Sequence, residues 1–109
     1  MTDQKTIAVD YDGTIHDHKH PVEGRKMGPP MKDAIESLSL LKRQGYEIVV
    51  FCYWADSPKN IKVIRDWLRY YKCPFNKITN IKPNADFFVD DKAIYHTSWT
   101  NTLQEIEKR

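Results

Sequence analysis

Several things are scarce in this 109-residue sequence, and each scarcity narrows what the chain can be. It has two cysteines, Cys52 and Cys73, too few for a disulfide scaffold, so a reducing, cytoplasmic setting is the expectation. No apolar run approaches the ~18 residues of a membrane span, and no membrane partner is expected. The opening stretch "MTDQKTIAVDYDG" has no basic segment followed by a long apolar one, so it does not read as a leader peptide. Neither charge sign dominates: 17 basic against 15 acidic side chains leave +2, too little to argue for nucleic acid from charge alone. Repeats and low-complexity segments are absent. A chain this short buries only about 60 to 70% of the surface it exposes when unfolded. One domain over residues 1–109 is therefore expected, with one core and no second lobe.

What is present is strand and helix in alternation. Residues 5 to 10 read as a strand buried on both faces. In "MKDAIESLSLLKR", residues 31 to 43, Met31, Ile35, Leu38 and Leu41 recur at helical spacing, and Gly45 suits the position after the helix end. "YEIVVFCY", 46 to 53, is continuous, β-branched and aromatic, as a central parallel strand should be. Ser57 and Pro58 suit a helix start, with Ile61, Ile64, Leu68 and Tyr71 as its buried stripe. "NKITNI" and "ADFFVDD" read as two further strands. A last helix starts at Thr97 or Ser98, with Trp99, Leu103 and Ile106 expected to face inward. This order predicts an α/β fold: a parallel, Rossmann-like sheet with helices on both faces, a three-layer α/β/α sandwich. Residues 15–30, "IHDHKHPVEGRKMGPP", form the one long irregular segment and read as a flap loop, functional or mobile.

Two pairs of aspartates carry the chemistry. Asp10 and Asp12 follow one apolar strand, and Asp90 and Asp91 follow another. In an open parallel sheet, ligands bind at the carboxyl ends of the strands. If the two strands are neighbours, the carboxylates converge, and like charges that close raise one another's pKa. A hard cation coordinated by oxygens removes the conflict. Mg2+ suits, because it uses one or two carboxylates together with substrate phosphate oxygens.

"VDYDGT" with the downstream "FFVDD" resembles the haloacid dehalogenase (HAD) superfamily of Mg2+-dependent phosphohydrolases, and the resemblance runs from Ile7 to about Ile94. It implies a HAD-like core and a phosphatase cleaving phosphomonoesters through an aspartyl-phosphate. Asp10 matches the nucleophile, and Asp12 the general acid and base, whose backbone carbonyl also touches the metal. Gly13 and Thr14 match the turn after the strand. Asp90 and Asp91 match the metal-binding acids, and Lys82 the lysine that neutralises nucleophile and phosphoryl group. These roles are chemically coherent: a carboxylate nucleophile splits one hard displacement into two easier ones, and the rest is positioning and charge.

The chain departs from the family at Cys52, which stands where a Thr or Ser donates to the phosphoryl group. A thiol is a weak donor. Losing one good donor costs roughly 3 kcal/mol at a transition state, on the order of a hundredfold in rate. The backbone amides of Tyr53 and Trp54 are expected to hold the phosphate instead, and their rings to form an aromatic shelf. The departure also leaves open a catalytically weak or inactive protein that only binds metal and phosphate. Cys52 as a nucleophile has no activating partner in sequence. Neither gap between motifs has room for a cap domain, so the resemblance is to capless members. Their open sites take phosphorylated small molecules or macromolecules, or are covered by a second subunit. Arg25 and Lys26 in the flap favour an anionic substrate, and a nucleic-acid end phosphatase is a further alternative. On an extended flap His16, His18 and His20 would share one side, available to phosphate or to a transition metal.

Overall fold

The computed structural model describes residues 4–109. Seven elements follow one another: β1 (Thr6–Asp10), α1 (Ala34–Arg43), β2 (Glu47–Phe51), α2 (Pro58–Tyr70), β3 (Lys77–Thr79), β4 (Phe87–Val89) and α3 (Trp99–Lys108). The strands form one all-parallel sheet in the order β3-β2-β1-β4. The chain thus steps outward from β1 to β2 to β3, then returns to the far side of β1. That reversal makes the crevice between β1 and β4 the topological switch point, where such sheets bind ligands.

Register decides which side chains meet. Ile7 pairs with Ile48 and Val9 with Val50, so all four share one sheet face. Their buried side chains join Leu38 of α1 and Ile64, Trp67 and Leu68 of α2 in the core. Both helices lie on this face because two successive right-handed crossovers in the same direction must place them there. On the other face Ala8 and Val49 are also buried. There no helix links β3 to β4. Residues 80–86 cross instead, and Ile81, Pro83 and Asn84 border the same cavity as Val49 and Lys77.

Local chemistry sets the boundaries. The Ser57 hydroxyl accepts the Asn60 amide at the start of α2, with Pro58 in the first turn. Gly45, at φ +96°, follows α1 in the left-handed conformation that a side chain disfavours. Helix α1 begins three residues later than the sequence pattern suggests. Asp33 sits at φ 64°, off the helical path, and the Met31 amide is drawn to the Ile15 carbonyl at the neck of the flap.

Two expectations fail. Trp99, Leu103 and Ile106 do not face inward: they are 72%, 57% and 54% exposed. No Cα of α3 comes within 8 Å of a strand or another helix, so this chain covers only one sheet face with helices. The radius of gyration is accordingly 15.2 Å, against about 13 Å for a compact chain of this length. The helical spacing of the three side chains is real, but spacing identifies an apolar stripe without naming its partner. The flap is not extended either. Gly13, Ile15 and His16 close a tight turn on Tyr11 and His16 carbonyls, and Asp17 returns to Pro29. No helix of the described residues is long and apolar enough to cross a membrane.

Leu68 is fully buried between α2 and the sheet. Leu68→Ala should cost about 2 to 5 kcal/mol in a urea unfolding series, with an unchanged slope on denaturant. A loss under about 1 kcal/mol would place the core elsewhere.

Candidate active site

The site forms where β1 and β4 end. Val9 pairs with Val89, so Asp10 and Asp90 leave adjacent parallel strands at the same level. One carboxylate oxygen each from Asp10, Asp90 and Asp91 lies within 4.8 Å of the other two. The convergence expected of the two strand ends is therefore present. Asp10 is half-buried, and its pKa is pushed up to about 6. Burial is the largest cause, followed by the charges of Asp90, Asp91 and Asp12, against a hydrogen bond from the Tyr11 amide.

Gly13 explains how Asp91 fits. Its φ is +85°, and a Cβ there would lie 2.5 Å from Asp91 Oδ2. Only glycine both makes this turn and leaves space for the carboxylate. Asp90 Oδ1 accepts the amides of Lys92 (2.7 Å) and Ala93 (3.2 Å), which folds the chain sharply after β4. Thr14 follows Gly13 in the turn, and its buried hydroxyl has no partner among the described residues.

Asp12 is held differently. His16 Nδ1 lies 2.8 Å from Oδ1, and Trp54 Nε1 donates to Oδ2 at 2.7 Å. The Gly28 amide donates to His16 Nε2 at 2.9 Å. Nε2 is therefore the acceptor nitrogen, the proton sits on Nδ1, and Nδ1 donates to Asp12. Burial works to raise the Asp12 pKa, but the bonds from His16 and Trp54 outweigh it and the net shift is downward. Asp10 and Asp12 are thus pushed apart, one toward protonation and one toward the carboxylate.

Two cavities meet these groups. One of about 250 Å3 is lined by Asp10, Asp12, His18, Cys52, Tyr53, Asp91 and Lys92. A smaller one of about 140 Å3 has Asp10, Asp90 and Lys82 in its wall. Lys82 Nζ lies 4.8 Å above the Phe88 ring, and neither Lys82 nor Lys92 is ion-paired among the described residues. Cys52 is buried, and burial pushes its thiol up to about 12, so it stays neutral. A buried neutral thiol argues against a thiolate nucleophile.

The aromatic pair divides. Tyr53 stands exposed at the cavity, while Trp54 turns inward onto Asp12. The three histidines divide as well. His16 is buried on Asp12, His18 lines the cavity, and His20 pairs with Asp17 at the surface. They do not share one side, because the flap turns tightly. Arg25 and Lys26 border a separate groove beside α2, with Arg25 over the Tyr70 ring at 5.3 Å. Sequence reasoning passed over Lys92, although its place directly after the acid pair was a usable signal. It could not see the hold of His16 and Trp54 on Asp12, which depends on tertiary contact.

No family model matches the chain, and no curated protein matches it. Among solved structures it is similar to one described as "Structure of the conserved protein coded by locus from Bacteroides thetaiotaomicron". The two are 24% identical over 97% of this chain and 92% of that one, with a TM-score of 0.64. At that identity the likeness concerns the fold alone.

Two outcomes follow from the electrostatics. Without metal, folded Asp10 keeps its proton up to about pH 6, whereas the unfolded group loses it near 3.8. Folding stability from this group therefore falls as pH rises between those values and stays reduced above them. Asp10→Asn should raise the metal-free melting temperature at neutral pH and leave it nearly unchanged at about pH 4. Equal melting of both proteins at neutral pH would show that neither burial nor the neighbouring charges raise the Asp10 pKa. His16→Phe keeps a ring but strands Gly28 N–H and one Asp12 oxygen. It should cost about 1 to 3 kcal/mol in chemical denaturation.

Proposed function

We propose that this chain is a Mg2+-dependent phosphohydrolase of the capless HAD type, cleaving a phosphomonoester through an aspartyl-phosphate. The observation that carries the reading is the meeting of Asp10, Asp90 and Asp91 within 4.8 Å at adjacent strand ends, with Asp12 and Lys82 beside them. Their donor set is all oxygen and anionic, which suits a hard divalent cation. The raised pKa of Asp10 is the conflict such a cation relieves. Asp10, Asp90 and Asp91, with the Asp12 carbonyl, would hold Mg2+, which when bound offsets charge on the phosphoryl oxygens. On this reading the parallel sheet with α1 and α2 on one face is a HAD-like core.

The chain's own residues divide the remaining work. Asp10 attacks phosphorus with one carboxylate oxygen and becomes phosphorylated, forming the aspartyl-phosphate as the bond from phosphorus to the ester oxygen breaks. That oxygen takes a proton from Asp12. Resting Asp12 is ionised; an arriving phosphate dianion raises its proton affinity, so Asp12 takes this proton up from solvent as the substrate binds. In the second half Asp12 takes a proton from water, which attacks phosphorus and frees Asp10 and inorganic phosphate. His16 and Trp54 fix the Asp12 carboxylate for both transfers, since a misplaced group loses most of its effect. Lys82 offsets the charge on Asp10 and the phosphoryl group. Gly13 and Thr14 shape the turn, and Cys52 with the Tyr53 and Trp54 amides walls the phosphate position. The site lies open beside Tyr53, which suits a phosphorylated small molecule or the phosphorylated end of a macromolecule, nucleic acid among them.

A second reading has one observation in its favour. Cys52 places a neutral, buried thiol where a hydroxyl would donate. On that reading the chain binds metal and phosphate without appreciable turnover.

Hydrolysis of an aryl phosphate with and without Mg2+ tests both. Wild type should turn over only with the metal, and Asp10→Asn should lose activity by at least about a thousandfold while staying folded. Unchanged rates in that variant would remove Asp10 from its role. Cys52→Thr should raise kcat by about tenfold to a hundredfold. A near-zero wild type that gains activity only through Cys52→Thr would favour the second reading.

A further inference from the structure

The C-terminal third of the chain carries an apolar surface with no counterpart in its own fold. β4 is an edge strand of three residues, and Phe87, Phe88 and Val89 are each nearly half exposed. On register, Phe87 and Val89 share the face on which α1 and α2 lie. α1 approaches β2, and α2 approaches β3. Ile7 and Val9 of β1 are buried with the helices, whereas Phe87 and Val89 of β4 stay nearly half exposed, so the helical layer ends short of β4.

The same chain holds a helix without a seat. α3 has ten residues and is capped by Ser98, and it presents Trp99, Leu103 and Ile106 along one stripe. A helix that short does not hold itself together in water without packing. It is tied instead to its own linker. Arg109 Nη1 donates to the Lys92 carbonyl at 2.8 Å, and His96 Nδ1 meets Thr102 Oγ1 at 2.6 Å. These bonds hold α3 beside residues 92–98 and away from the sheet.

We propose that a second copy of this chain covers this margin: α3 of each protomer packs its Trp99, Leu103 and Ile106 stripe on Phe87 and Val89 of the other, in a two-fold dimer. One chain supplies both halves of the contact, so the exchange is self-complementary and closes at two. From their fractional exposures these five side chains offer roughly 500 Å2 per copy, or about 1,000 Å2 for the reciprocal pair, the size at which a specific interface begins. Polar rim groups add to that. The linker between β4 and α3 also carries Asp90 and Asp91, so the dimer contact is continuous with the segment that builds the acidic site. The proposal stands on packing and holds whether or not the chain is a phosphatase.

Sedimentation of the full chain should give twice the 12.9 kDa chain mass, and Leu103→Glu should weaken association at least tenfold while leaving the circular dichroism intact. Oxidising a mixture of Phe87→Cys chains and Leu103→Cys chains should yield the disulfide-linked heterodimer, and native Cys52 and Cys73 are buried and do not compete. A monomer at all concentrations overturns the proposal. So does a dimer that Leu103→Glu leaves untouched. A chain carrying both substitutions that closes its disulfide internally at monomer mass also overturns it, by showing that α3 folds back on its own sheet.

Discussion

The crowding of Asp10, Asp90 and Asp91 at the β1–β4 crevice is the constraint around which the rest of this molecule is arranged. Burial and the neighbouring charges of Asp90 and Asp91 raise the cost of ionising Asp10, which opposes folding. The backbone tolerates them through specific devices. Parallel pairing of Val9 with Val89 sets the two strand ends level, a positive-φ glycine opens room for Asp91, and an Asp90 turn directs the chain away. Such an arrangement is unfavourable for stability alone, which is the physical ground for reading it as a site that meets positive charge.

Asp12 shows the opposite treatment. Two neutral donors grip its carboxylate, and the grip extends through His16 to the Gly28 peptide. The Gly28 carbonyl in turn accepts from Trp67 of α2 at 2.9 Å. A Cβ on Gly28 would lie 1.8 Å from the Asp17 carbonyl oxygen, so the flap closes at this position only with glycine. The flap neck, the core helix and Asp12 are thus one hydrogen-bonded unit. Asp10 and Asp12, two residues apart, have opposed proton affinities because one is crowded by other carboxylates and the other is held by donors.

The apolar interior is lopsided. Ile7, Val9, Ile48 and Val50 meet α1 and α2 on one face, and the opposite face is crossed by an irregular segment. Packing therefore weakens from β2 toward β4, and the strand that supplies Asp90 is the least covered of the four. Sites that must admit a ligand are drawn from such weakly packed margins.

Much of this was legible in the residues. The alternation of apolar runs with helical stripes determined a parallel α/β sheet, because only strands buried on both faces read as continuous apolar segments. Ser57, Pro58 and Gly45 marked helix ends through local backbone chemistry that needs no partner. The acid pairs after "IAV" and "FFV" pointed to the sheet's carboxyl edge. What the sequence could not hold was anything that depends on distant segments meeting. His16, His18 and His20 alternate along the chain, yet a turn closed by Tyr11 and Pro29 carbonyls sends them three ways. Trp54 reads as a ligand shelf until its indole is found on Asp12. The stripe on α3 reads as core until the helix is found with no strand or other helix beside it. Local periodicity and capping are encoded over a few residues, so sequence alone determined them. Which surfaces meet depends on how the whole chain closes in space, and only the tertiary structure decided that.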